Sequence, residues 1–430
     1  VRARIDHMKR FVRRSWFRDH AAAPITAAYV IGALLLGTYG HGLLPFHFVS
    51  PISAESAVAI LSAIASGMMA LTAIVFSLAF VAIQISGAAY SPRLARVLGR
   101  SHILGHALGI FTGTFLYALL AMRSIDLARA AGIELSVVIL AFAWLLASVA
   151  ILVLLMPRVR SLSIGDVLMT LHDHGAASAT RIYAPLDDIA PAPTSDLPIT
   201  DSCVHAGRPR YLVGLDLRHL LRCAVEAGAL VEIVPAIGDA VIAGDRLAVV
   251  RGATRPLAAA RLRDGCWLGA ERTIDNDPAY SIRLLVDIAI RALSPAVNDP
   301  TTAVSVLDEL DGLLRLLGHR RLEDNRMTDD RGIVRLVWAT PTWEDLVALA
   351  LTEIHQYGRD SFQVQRRLAT LVRDAADVLP SHRRAAIDRF AHWRGESVSE
   401  VLHTAEAWAA PSVGDRQGLG HSLVQAPPLS

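Results

Sequence analysis

The chain carries two different rhythms of apolar and polar positions. No Asp, Glu, Lys or Arg occurs between His20 and Ala54, from Ser56 to Pro92, from Ser101 to Met122, or from Leu135 to Pro157. Each gap holds an apolar stretch near the roughly 20 residues that cross a bilayer as a helix. The pattern predicts four membrane spans, at about Ala23–Leu44, Val58–Gln84, His102–Leu120 and Leu135–Met156. The second is long enough to tilt or to leave the bilayer as one continuous helix.

From Arg158 onward the periods shorten. "RSLSIGDVLMTLHDHG" reads as a helix, and "YAPLDDIAPAPTSDLPIT" with its four prolines as a loop or extended crossing. "RYLVGLD" reads as a strand, after which Asp216 caps a helix that Gly228 ends. "LVEIV", "AVIAG" and "RLAVV" read as further strands. Two helices then start on the same device, with Asp277 and Asp299 as N-caps and Pro278 and Pro300 at the first helical position. Ile282, Leu285 and Ile288 recur at helical spacing in the first, and Val306, Leu307, Leu310 and Leu314 in the second. "GIVRLVW" predicts a strand, and Thr342 with Asp345 a capping box for a helix ended by Gly358.

Composition sharpens this division. The 430 residues are 53% hydrophobic and 19% charged, with the apolar excess placed before residue 158. A net charge of +2 gives no nucleic-acid signature. Lys9 is the one lysine, so no lysine stands where a Schiff base, a P-loop or a lipoyl carrier needs it. "VPAIGDAVIAGDRLAVV" is similar to half of a barrel-sandwich hybrid, and without that lysine only the fold is implied. Cys203, Cys223 and Cys266 form no C-x-x-C pair and read as buried core residues.

Arginine placement sets a direction. Arg2, Arg4, Lys9, Arg10, Arg13, Arg14 and Arg18 precede the first span, and Arg93, Arg96 and Arg100 follow the second. The loop after the first span has no basic residue, and the loop after the third has Arg123 and Arg129. The positive-inside rule puts the N-terminus, and after four crossings the C-terminal half, in the cytoplasm. Trp16, Phe17, Phe46, Phe48 and Tyr90 fall at the expected interfaces. The apolar run and its basic preface are too long for a cleaved signal peptide.

Within the spans no carboxylate or arginine marks a proton relay or coupled transporter. Gly105, Gly109 and Gly113 form a small-residue stripe suited to close helix contact, within one chain or between chains. Ser77 and Gln84 share nearly one face, which either lines a pore or bonds to its own surroundings. His102 and His106 share a face and read as interfacial residues, and His172, Asp173 and His174, being adjacent, as a solvated helix end. No metal site and no cofactor is expected. "RALSPAVNDPTTAV" reads as a corner: Ser294-Pro295 stops one helix and Asp299-Pro300 starts the next. Ser294, Asn298 and Asp299, with Asp277 and Arg272 near the earlier helix start, are candidates for binding a ligand or a subunit. The two capped starts are expected to form one pocket or one contact. Glu271, Asp275, Asp277 and Asp299 are the acidic groups an enzyme would draw on. Helix capping accounts for acids there, and no H-E-x-x-H, G-x-S-x-G, P-loop or G-x-G-x-x-G motif occurs.

"YSPRLARVLGRSHILGHALGIFTGTFLYALL", "ERTIDNDPAYSIRLLVDIAIRALSPAVNDPTTAVSVLDEL" and "RGIVRLVWATPTWEDLVALAL" resemble a bacterial family of predicted membrane proteins catalogued as domain of unknown function 2254. The likeness runs from about Phe11 to Arg394. It implies a bacterial inner membrane location and supplies no reaction, substrate or catalytic residue. The expected fold class is an α-helical membrane domain of four transmembrane helices plus a cytoplasmic α+β region, with a small barrel-sandwich-like β unit and a mainly helical C-terminal part. The expected boundaries are 1–157 for the membrane domain, 158–198 for a linker helix and Pro-rich loop, 199–253 for the β unit, 254–410 for the helical part and 411–430 for a disordered tail. The expected partners are the lipid bilayer, further copies of the chain, and an ion or small ligand, with no nucleic acid. The leading functional expectation is an oligomeric channel-like conduit with a cytoplasmic regulatory domain. The alternative is a membrane-anchored sensor or scaffold, and an enzyme ranks last.

Overall fold

The computed structural model describes residues 22–39, 53–89, 102–127, 135–160, 164–186, 197–322 and 325–401. The basic N-terminal stretch, the five interfacial aromatics, most of the Pro-rich loop and the tail 411–430 lie outside them, as does the Gln84 side chain. The chain divides into two compact units, one within residues 8–163 and one running from Ile164 to the C-terminus.

The first unit is a helical bundle of α1 (Ala22–Tyr39), α2 (Ala54–Ala89), α3 (His102–Leu127) and α4 (Leu135–Arg160). Helix α3 is its centre, and the other three all pack on it. Its small residues make this possible. A Cβ at Gly109 would lie 2.7 Å from the Tyr29 ring of α1, and one at Gly113 would lie 3.1 Å from the Trp144 ring of α4. Thr26 Oγ1 donates to the Gly105 carbonyl at 3.1 Å. Ala107, Phe111 and Ala118 of α3 and Leu61 and Ala65 of α2 are buried in the core. Phe76, Phe80, Leu146 and Val153 face outward. Among the described residues, three helices hold stretches long and apolar enough to cross a membrane, at Ala54–Leu78, Gly105–Ile125 and Val137–Leu155. Helix α1 holds a shorter apolar stretch, Thr26–Leu36.

The second unit starts with α5 (Ile164–Ile182) and then builds two sheets. Its strands are β1 (Ile199–Val204), β2 (Arg210–Leu215), β3 (Leu230–Ile233), β4 (Ala240–Val241), β5 (Arg246–Arg251), β6 (Cys266–Gly269), β7 (Asn325–Thr328) and β8 (Val334–Trp338). One sheet has the order β1-β5-β3-β8-β7 and the other β4-β2-β6. Among the described strands every pairing is antiparallel except β3 with β8, whose register sets Val231 opposite Leu336. Leu212, Val231, Leu247, Val250 and Leu336 meet in one core, with Leu220 and Cys223 of α6 (Leu217–Ala227) laid on it. All three cysteines are free and buried. The sheets reach beyond the expected 199–253 boundary. Leu230, Val231 and Ile233 are buried, and β3 is paired on both edges, so it needs a second neighbour, which β8 supplies from about a hundred residues away.

The remaining helices are α7 (Ala259–Asp264), α8 (Pro278–Ala292), α9 (Pro300–Gly318), α10 (Trp343–Tyr357), α11 (Phe362–Val378) and α12 (Ser381–Val401). The caps read from the sequence are in place. Asp216, Asp277 and Asp299 each accept from the N–H three residues on, and Thr342 with Asp345 forms a reciprocal capping box. Helix α8 is sandwiched by α5, α9 and α10, which is why its Leu284, Leu285 and Val286 are all buried. Ion pairs tie the helices: Arg283 of α8 to Glu353 of α10, and Arg367 of α11 to Asp308 and Asp311 of α9.

Candidate functional site

Polar groups gather where the β-rich part meets α8. Asp275, Asn276 and Asp277 are consecutive and all at most 5% exposed, which for this residue type demands partners. Asp277 divides its two oxygens. Oδ1 accepts the Tyr280 N–H at 2.9 Å and so caps α8, while Oδ2 accepts from Arg272 Nε at 3.0 Å and Nη2 at 2.7 Å. The Arg272 guanidinium also lies 4.8 Å from the centre of the Tyr280 ring. Burial pushes the Asp277 carboxyl above the usual carboxylate range, against the pull of Arg272 and the Tyr280 N–H.

The neighbours explain how so many polar groups are tolerated. Asn276 Nδ2 donates to the Val213 carbonyl of β2 at 3.2 Å, and Arg181 of α5 donates to the Asp275 carbonyl. Gly238 sits at φ +102°, and a Cβ there would fall 2.4 Å from Asp277 Oδ2. Only glycine lets that turn close over the pair. Gly175 of α5 likewise meets the Ser281 side chain, at 3.0 Å for an added Cβ. Asn276 Oδ1, Ser178 Oγ and Ser281 Oγ are buried there without a hydrogen-bond partner, the kind of place where a buried water serves. The arrangement is rigid and enclosed. It joins α5 to the start of α8 through the charged Arg181, and β2 through the neutral Asn276 amide, with Asp277 enclosed by Arg272.

The corner of "RALSPAVNDPTTAV" is a separate place. Ser294 Oγ donates to the Arg291 carbonyl at 2.6 Å, and Asp299 accepts from the Thr302 N–H at 3.1 Å and the Thr302 hydroxyl at 2.6 Å. Asn298 is exposed, at φ +48°, a left-handed conformation that asparagine tolerates better than most residues. The Asp299 N–H donates back to the Ala292 carbonyl at 2.8 Å, which closes the turn. The two capped starts do not meet in one pocket. They stand at opposite ends of α8, whose 15 residues rise about 1.5 Å each, roughly 22 Å in all.

In the membrane bundle Ser77 is exposed on α2. Several hydroxyls bond nearby: Ser66 to the Ser62 carbonyl at 2.7 Å, Thr72 to Met68 at 2.7 Å, Thr114 to Ile110 at 2.8 Å and Ser148 to Trp144 at 2.9 Å. Thr114 and Ser148 also meet across α3 and α4 at 2.8 Å. His106 meets Tyr29 Oη at 3.2 Å, and His172 meets Glu309 of α9 at 3.0 Å. Among the described residues no three His, Cys, Asp or Glu side chains converge as metal ligands.

Sequence reading missed Arg181, Ser178, Ser281 and Asn276, and also a buried pair, His355 and Gln365. The usable signal was position: Ser281 precedes Leu285 by four, and His355 follows Leu351 by four, both on the core-facing stripe of an apolar helix.

The comparisons agree with this picture of a membrane chain. It is 28% identical over 345 residues to uncharacterized proteins of Mycobacterium bovis and Mycobacterium tuberculosis, with 76% of this chain covered. The match spans 65% of the length of those relatives. No solved structure matches. The family model described as "Predicted membrane protein (DUF2254)" matches residues 13–374, and the chain belongs to that family of membrane proteins.

Proposed function

We propose that the protein is a membrane-anchored sensor or scaffold, whose helices α1 to α4 cross the membrane and hold a cytoplasmic α/β unit that binds a ligand or partner without catalysing a reaction. One observation carries this reading over the conduit. No buried side-chain N or O atom of the described membrane helices lacks a partner, whereas Ser178, Asn276, Ser281, His355, Arg367 and Arg394 each leave at least one. Groups held buried and unsatisfied cost about 1–3 kcal/mol each, and such a cost is commonly tolerated where a ligand or water repays it. In the bundle Ser66, Thr72 and Ser148 bond to their own helix backbone, and Phe76, Phe80, Leu146 and Val153 face outward. That surface suits lipid.

The arginine distribution supports N- and C-termini on the cytoplasmic side of a bacterial inner membrane. The conduit stands as a second reading because Ser77 is on the exposed face of α2, where a ring of copies would bring it together. Full-length protein in liposomes decides between them. The anchor reading expects ion and small-solute flux equal to protein-free vesicles; flux that rises with protein and falls on Ser77→Leu would establish the conduit instead.

A further inference from the structure

Where α10, α11 and α12 meet, a buried imidazole and a partly buried guanidinium stand together, with no acid among the described residues beside them. His355 of α10 is 1% exposed. Gln365 of α11 fixes its ring: Gln365 Nε2 donates to the Gly358 carbonyl at 2.9 Å, which turns Oε1 to His355 Nδ1 at 3.1 Å. Nδ1 therefore carries the proton, and Nε2 is the atom left over. It is buried without a partner. The Trp393 and Phe390 rings of α12 stand edge-on to it, with centroids 4.9 and 6.1 Å away. Next to Trp393, Arg394 keeps Nε and Nη1 away from solvent with no acceptor, while the residue as a whole is only half-buried.

The electrostatics agree. Burial holds Arg394 below the usual guanidinium range, and no carboxylate of the described residues counters it. Burial, then the charges of Arg394 and Arg359, hold His355 below the usual imidazole range, with only the Gln365 bond opposing. The nearest acid on its own helix, Glu353, is turned to Arg283 of α8. Phe390, Trp393 and Gln365, which also meet the ring, carry no charge.

We propose that His355 Nε2 and the Arg394 guanidinium form a binding site for a phosphate-type oxyanion, either free phosphate or the headgroup of an anionic lipid. The anion accepts from Arg394 and, once the ring has taken a second proton from solvent, from His355 Nε2–H. Its negative charge offsets that of Arg394, which otherwise disfavours the second proton on His355, so binding and proton uptake are linked. The affinity rises as pH falls. This stands whether or not the membrane helices conduct.

The test uses the full chain in phosphatidylcholine nanodiscs, with melting temperature read against added sulfate, whose charge is constant across the range, and against phosphate, at matched ionic strength in chloride. Wild-type protein is expected to be stabilised by both anions, with sulfate binding several-fold tighter at about pH 6 than at about pH 8. Arg394→Gln is expected to weaken binding roughly tenfold or more, and His355→Gln to remove the pH dependence while leaving binding at the higher pH. A second arm dopes the nanodiscs with phosphatidylglycerol. Stabilisation there, with none from the soluble anions, assigns the lipid headgroup as the source. The proposal is overturned if none of the three probes stabilises the wild type, or if Arg394→Gln responds as the wild type does. Should Arg394→Gln fail to fold, Arg394→Lys keeps the charge but loses the planar donor set, and an unchanged affinity there overturns it equally.

Discussion

The membrane bundle and the α/β unit solve the same problem, polar groups removed from water, in opposite ways. In the bundle each buried hydroxyl is tied to a carbonyl three or four residues back, or to a neighbour across one contact, as Thr114 is to Ser148. In the α/β unit the polar groups are long, charged and held by partners far off in sequence, as Arg367 is by Asp308 and Asp311. The difference teaches where binding chemistry has room to reside. Local satisfaction leaves nothing over, whereas a network of distant partners leaves unmatched atoms when one partner is short.

The comparison can be broken by substitution. The largest effect is expected at the Asp277–Arg272 pair: Arg272→Ala leaves a buried carboxylate uncompensated and costs about 3–5 kcal/mol, read by denaturant unfolding of the full chain. Gly109→Leu drives a side chain into Tyr29 and is expected to destabilise the bundle by about 1–3 kcal/mol, read as a lower melting temperature in detergent. A smaller loss, about 1 kcal/mol, is expected for Thr342→Ala, which removes a cap. Smaller still is Asn298. Its left-handed backbone makes Asn298→Ala mildly destabilising, by roughly 1 kcal/mol or less, and Asn298→Gly close to neutral. A pronounced loss of stability in Asn298→Gly would mean that the side chain holds the corner, and the exposed position would need another account.

pH sharpens the same contrast. The folded state disfavours the proton on His355, whose folded value lies below its unfolded one. The stability this group contributes is therefore present above the unfolded pKa of about 6.5 and is lost as pH falls through the folded value. Without added oxyanion, acid is expected to lower the melting temperature of the wild type more than that of His355→Gln. Equal acid sensitivity would remove His355 from the account.

Much of the fold was legible because its signals are local. The gaps between charged residues located the apolar helices, although α2 runs on to Ala89 and the α1 apolar stretch is shorter than the gap that announced it. Asp216, Asp277, Asp299 and Thr342 announced helix starts because a cap needs only the next turn. The parallel partner of β3 was not legible, since nothing near Leu230 names Leu336 or Trp338. Nor was the buried pair at His355: the residue type announces a titratable group, but only the packing of Gln365, Phe390 and Arg394 around it decides what it does. Of the two outcomes expected for Asp277 and Asp299, one pocket or one subunit contact, a pocket within one chain is excluded for a simple reason. Closeness in sequence across a straight helix is distance in space.

Hydrogen–deuterium exchange of the full chain in nanodiscs, with and without phosphate, tests most directly the claim that the α/β unit carries the binding chemistry. The account predicts added protection in peptides covering 343–366 and 381–394, with exchange unchanged in 54–89 and 135–160. Protection confined to the membrane helices, with none around His355 and Arg394, would contradict it.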